Sequence, residues 1–161
     1  EEVSFLEENG ISVEIVPGIT SGIAASSYVG IPLTHRHGAS SVTFVTGHET
    51  SEKQEKSVNW RQLALSSNSL VIYMGIRNIE YIVEELIIGG MKRDTKCAAI
   101  QEATLKNQKS LMTELSKLPE VIKENNIKPP AIVIIGRIVD FQVKNTITKL
   151  SAVNLPKIKK I

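Results

Sequence analysis

The run Ala131 to Gly136, AIVIIG, limits the fold more than any other stretch of this chain. No polar side chain interrupts it, so it predicts a central strand buried on both faces. Lys128-Pro129-Pro130 stiffens the approach to it. Aromatic residues make up only 4% of a chain that is 42% hydrophobic, so the core must rest on Ile, Val, Leu and Ala. That composition suits an α/β fold: a mixed, mainly β-branched sheet covered by helices. A length of 161 residues is enough for one good core or two small ones.

The other elements follow in order. Glu1 to Asn9 carries Val3, Phe5 and Leu6 among acids and stops at Asn9-Gly10, which predicts a short covering helix. Ile11 to Val16 alternates and ends apolar, so a strand is expected there, buried from Val13 to Val16. Ser41 to Thr46 alternates as a strand, Glu49 to Ser57 reads as a solvated loop, and Asn59 to Leu65 starts a short helix anchored by Trp60. Ser69 to Met74 is an apolar strand. Asn78 to Ile88 spaces Ile79, Ile82, Val83, Leu86 and Ile87 as one helical face, closed by Gly89-Gly90. Lys96 to Glu102 is a strand, and Gln108 to Thr113 can return beside it as an antiparallel hairpin after a turn from Ala103 to Asn107. A parallel crossover needs a longer connection, so the sheet should be mixed. The next helix carries Pro119, kinked or restarted there. Phe141 to Ile161 shows no periodic apolar face and reads as a tail or an extension.

Between the first expected strand and the sheet lies an unusual helix. Pro17-Gly18 breaks the chain, Ile19 to Tyr28 is helical, and Gly30-Ile31-Pro32 breaks it again. Thr20, Ser21, Gly22, Ala24, Ala25, Ser26 and Ser27 leave that helix with little side-chain bulk. It can lie very close to a sheet or a ligand, and its first turn offers N–H groups beside the hydroxyls of Thr20 and Ser21. Tight packing that binds nothing is the alternative reading of the same spacing. Met74 ends its strand just before a helix, where open α/β sheets bind ligands, and can equally fill a core gap.

Pro32 to Gly38 reads as a linker between two domains, and clefts between domains are favoured ligand sites. His35 and His37 lack the partners a zinc or iron site needs. A general-base role and a surface linker role both remain open to them. Arg36 offers a planar fork suited to a substrate carboxylate. Cys97, the only cysteine, excludes an internal disulfide, fits a reducing cytosol, and lies in an apolar stretch as a buried thiol. The net charge of +2 is small and dispersed, which argues against a nucleic-acid surface, and no apolar run is long enough to span a membrane. No C-x-x-C, H-E-x-x-H, P-loop or G-x-G-x-x-G pattern is present, so zinc, P-loop nucleotide and Rossmann dinucleotide chemistry are not indicated.

VPGITSGIAASSYVGIPLTHR, SVTFVTGHE, VIYMG and PAIVIIGRIV, in that order and with comparable gaps, resemble the uroporphyrinogen-III C-methyltransferases of the tetrapyrrole methylase family. The resemblance implies S-adenosyl-L-methionine as methyl donor, S-adenosyl-L-homocysteine as its product, and uroporphyrinogen III as substrate. The reaction would be twofold C-methylation to precorrin-2, feeding siroheme or cobalamin synthesis in a cytoplasmic, homodimeric enzyme of two α/β domains. The donor contacts it implies are Thr20, Ser21, Met74 and Ala103, with Ala131 a further one; Ala103 stands where related sequences can have glycine. Arg36 is the substrate-binding candidate, since the substrate carries many carboxylates. Residues 1–37 would be the end of an N-terminal domain plus the linker, 38–140 the C-terminal domain, and 141–161 a tail. The chain starts on Glu1-Glu2 inside a helix, so a fragment is expected, with the family's acid–base residues upstream and no catalytic residue here. A methylase of a later precorrin, and a non-catalytic folding or dimerisation module, are the alternatives.

Overall fold

The computed structural model describes residues 1–47 and 58–143. Its centre is a five-stranded sheet of β1 (Thr43–Thr46), β2 (Ser69–Tyr73), β3 (Lys96–Gln101), β4 (Lys109–Glu114) and β5 (Ala131–Gly136). The strand order is β1-β2-β5-β3-β4, which puts the AIVIIG strand in the middle as its apolar run requires. β1 and β2 pair in parallel. β5 is antiparallel to both β2 and β3, and β3 and β4 form the expected antiparallel hairpin. The sheet is therefore mixed.

Three helices make the crossovers: α3 (Trp60–Ser66) from β1 to β2, α4 (Ile79–Ile88) from β2 to β3, and α5 (Leu118–Glu124) from β4 to β5. The last crossover steps the opposite way across the sheet, but its strands also point the opposite way. Handedness is unchanged by the two reversals together, so a single crossover hand sends all three helices to one face. Leu70, Ile72, Cys97, Ala99, Val133 and Ile135 meet them there in one buried cluster. Their strand neighbours Val71, Ala98, Ile100, Ile132 and Ile134 form a second cluster on the other face. Period-two alternation of uniformly apolar strands thus builds two cores on one sheet.

The second face is closed by α2 (Ser21–Tyr28) and the segment behind it. Ala25, Val29, Ile31 and Ala39 share a core with Val71 and Ile134. The 3₁₀ turn Arg137–Phe141 supplies Ile138 and Val139 to the same core. The expected linker folds back on this turn: His35 N–H donates to the Ala39 carbonyl at 2.8 Å, and the His35 ring stacks on Phe141 with centroids 3.8 Å apart. At the start of α5, Pro119 sits in the first turn after a 3₁₀ turn at Leu115–Lys117. The helix restarts rather than kinks, because a first-turn residue has no intrahelical N–H bond to lose.

Two expectations are corrected. Ile11 to Val16 forms no strand, and Ile15 and Val16 are 76% and 78% exposed. A strand needs a ladder partner, and among the described residues none lies beside it. Helix α1 (Glu2–Glu8) forms, but among the described residues none of its side chains is buried, and Phe5 is exposed. The loop expected at Glu49 to Ser57 and most of the expected tail lie outside the described residues.

Candidate functional site

β2 and β3 run in the same direction and end at the same edge of the sheet, where β5 begins between them. At this edge the backbone leaves the strands abruptly. Met74, Glu102 and Thr104 have φ of +52°, +48° and +72°. Such values are uncommon for residues with a Cβ, and they persist where surrounding structure holds them. Two hydrogen bonds help fix the β3 end: Glu102 N–H to the Pro130 carbonyl at 3.0 Å, and Thr104 N–H to Gln108 Oε1 at 2.7 Å.

Between these strand ends, on the α2 face, opens a cavity of about 520 Å³. Ser21, Tyr73, Met74, Ile76, Ile100, Glu102, Ala103, Leu105, Pro129, Pro130, Ala131 and Ile132 line it. Apolar walls with few polar groups and a volume in the small-molecule range are the usual makeup of a ligand pocket.

The small-residue helix reaches this cavity for a specific reason. A Cβ on Gly22 would meet the Tyr73 hydroxyl and would stand 2.8 Å from Val71 Cγ1. Only glycine lets α2 lie this close to β2. At the N-cap of α2, the side chain of Thr20 does not cap the helix. Its hydroxyl instead shares a 2.6 Å hydrogen bond with the Tyr73 hydroxyl. Helix and strand end are therefore tied at the cavity mouth.

Of the residues expected at a donor site, Ser21, Met74, Ala103 and Ala131 all line this one cavity. Thr20 stands beside it through Tyr73. Arg36 is not brought there. It is exposed in the loop closed by His35 and Ala39, past the far end of α2, whose eight residues span about 12 Å. That far end is fixed to the opposite sheet edge, where Gln142 Nε2 donates to the Val29 carbonyl. Tyr73 and Glu102 are cavity residues not anticipated from the sequence. The alternation of SLVIYM could have found Tyr73, which shares a face with Val71; no comparable signal marks Glu102.

Cys97 takes no part. It lies on the opposite face of β3, and burial raises its thiol well above the ordinary range. Among the described residues there is no cluster of His, Cys, Asp and Glu able to hold a metal, and no helix long and apolar enough to cross a membrane.

A family model of tetrapyrrole (corrin/porphyrin) methylases matches residues 1–119. The chain belongs to the tetrapyrrole methylase family. A uroporphyrinogen-III C-methyltransferase of Synechocystis sp. is 45% identical over 141 residues, which is 88% of this chain and 54% of that protein. The chain thus spans about half the length of the curated relatives it matches. Uroporphyrin-III C-methyltransferase from Thermus thermophilus, in a crystal structure with S-adenosylhomocysteine, superposes with a TM-score of 0.72 at 29% identity. That match covers 86% of this chain and 59% of the other. A cobalt precorrin-4 methyltransferase superposes at 0.76 with 22% identity over 86% of this chain and 58% of its own, a likeness of fold alone. The mixed sheet with α2 on one face and α3 to α5 on the other is thus a methylase fold.

Proposed function

We propose that this chain carries the nucleoside-binding part of an S-adenosyl-L-methionine-dependent enzyme that C-methylates uroporphyrinogen III. The observation that supports it most is the convergence of Ser21, Met74, Ala103 and Ala131, distant in sequence, on one apolar cavity. A second support is the Thermus thermophilus relative with S-adenosylhomocysteine bound. The residues present fit such a ligand. Ile100, Ala131 and Ile132 offer apolar lining for a purine, while Ser21 and Tyr73 carry hydroxyls among the lining residues.

The donor brings its own activated methyl group as a sulfonium. What the chain contributes is binding, orientation and exclusion of water. Small side chains on α2 and at Ala103 let backbone approach the ligand closely, and the Thr20–Tyr73 bond holds the mouth of the cavity in shape. Arg36 is proposed separately as a contact for a substrate carboxylate, 37/38 as the boundary between two domains, and a cytoplasmic homodimer as the working state. The early substrate is preferred over a later precorrin because LTHR and SVTFVTGHE look most like the enzymes acting first. By itself the chain is expected to bind the nucleoside without turning over.

Calorimetric titration of S-adenosylhomocysteine into the chain tests the cavity. Saturable binding in the wild type, lost in Ala103→Leu as the added side chain fills the space, is the expected result. Absence of binding in the wild type would remove the assignment. Arg36→Gln should leave nucleoside binding unchanged; if it weakens binding, the two sites are not separate.

A further inference from the structure

Asn59 and Asn78 both stand at helix N-caps, and they are used differently. Asn59 caps α3 in the ordinary way, its Oδ1 accepting from Gln62 N–H at 3.0 Å. Asn78, at the N-cap of α4, makes no capping bond. Its side chain turns instead to the end of another strand, where Nδ2 donates to the Gly47 carbonyl at 2.7 Å. A residue type favoured for capping is thus committed to a contact 31 positions away in the chain.

That contact bears on the exit from β2 into the cavity wall. Gly47 N–H donates to the Tyr73 carbonyl at 2.7 Å, and Asn78 N–H donates to the Gly75 carbonyl at 3.1 Å. Between Tyr73 and Gly75 lies Met74, a cavity residue with φ of +52°, and Ile76, another cavity residue, follows Gly75. The two glycines touch: a Cβ on Gly47 would stand 2.5 Å from the Gly75 α-carbon. Gly47 is therefore a brace against this turn, bonded through its N–H on one side and its carbonyl on the other. A residue in an unfavourable backbone region stays there only while its surroundings fix it. We propose that Asn78 is a positioning residue of the nucleoside site: by holding Gly47 against the β2 exit, it keeps Met74 in place at the cavity. The inference rests on the nucleoside-binding reading above and adds to it a residue outside the cavity lining.

The test compares the wild-type chain with Asn78→Ala and Asn78→Asp. Aspartate is an equally good N-cap of the same shape, but its carboxylate has no N–H to donate to Gly47. Thermal melts should therefore find Asn78→Asp folded and close to the wild type. Calorimetry with S-adenosylhomocysteine should nevertheless find both variants weaker by roughly three- to tenfold, the range of one lost hydrogen bond. In a Met74→Ala background the same two changes should alter affinity less than about twofold, because the residue they act through is gone. Methyl NMR gives a second readout that needs no ligand. The chain has three methionines, Met74, Met91 and Met112. Both changes should displace or broaden the Met74 ε-methyl signal. Met91, just past the other end of α4, and Met112, on β4, should keep theirs. Wild-type affinity in Asn78→Asp would overturn the proposal, as would equal losses with and without Met74. A Met91 signal that moves as much as that of Met74 would overturn it too, by showing that α4 shifts as a body. In each of those cases, binding by the wild type leaves the nucleoside-binding reading standing. If the wild type binds no S-adenosylhomocysteine, that reading fails and takes this inference with it.

Discussion

Gly22 shows how one missing side chain sets the site. Its α-carbon lies where a Cβ would run into the Tyr73 ring, 2.9 Å from Cζ, and into Val71. Gly22→Ala must either push α2 off the sheet or turn Tyr73 away from Thr20. Overpacking of this kind costs about 1–3 kcal/mol, measurable by urea denaturation, and nucleoside affinity should fall with it. Adding Tyr73→Phe removes the hydroxyl that collides first and should recover part of the stability, though not the bond to Thr20. Gly18, with nothing within 4 Å of its Cβ position, is the control: Gly18→Ala should leave affinity unchanged. Equal effects at the two positions would mean that close packing of α2 is not what matters. The small-residue pattern of this helix was legible in the sequence, but the need for glycine at 22 in particular was not. It depends on Tyr73, which is 51 positions further along the chain.

Among the elements, the β3–β4 hairpin carries a charge arrangement with a predictable pH response. Glu114 at the end of β4 faces Lys96 across the pair, with Nζ to Oε1 at 3.2 Å, and meets Lys117 at 2.9 Å through its other oxygen. The Lys117 hydrogen bond, followed by that of Lys96, holds its carboxyl below the usual carboxylate range. The folded chain therefore binds this proton less readily than the unfolded chain does. Its contribution to stability is present above about pH 4.5 and is lost as pH falls further through the lowered value. Glu114→Gln should be less stable at pH 7 and should show a flatter stability profile from pH 5 to pH 3, read by denaturant midpoints. A parallel profile would show that the exposed pairs contribute nothing measurable, as many surface pairs do not. The hairpin itself was legible from the short turn between alternating runs, and β5 from its unbroken apolar character. Ile11 to Val16 was misread for a physical reason. Alternation reports that a segment is able to pair, whereas a strand exists only where a partner satisfies its N–H and C=O groups.

For the molecule as a whole, these two segments mark the extremes of local stability. β5 is hydrogen-bonded on both sides and its residues from Ile132 to Gly136 are buried. Its amides can exchange only when the sheet opens, so they should report the global unfolding equilibrium, on the order of 10³–10⁸ protection for a domain of ordinary stability. From Ser12 to Thr20 no backbone N–H makes a backbone hydrogen bond among the described residues, and Ile19 is 81% exposed. Hydrogen exchange there should proceed near the rate of an unfolded chain, with α2 intermediate because Ala25 and Ser26 are buried while its first turn is open. The contrast bears on the site, since Thr20 and Ser21 sit where the least protected segment meets the sheet. Added S-adenosylhomocysteine should therefore slow exchange most at the start of α2 and hardly at all in β5, whose opening is already rare. Protection of residues 12–19 that rises with protein concentration would contradict this picture of the isolated chain. A stretch with unpaired backbone N–H groups and exposed Ile15, Val16 and Ile19 is a template for another strand, and the result would mean that a second copy supplies one.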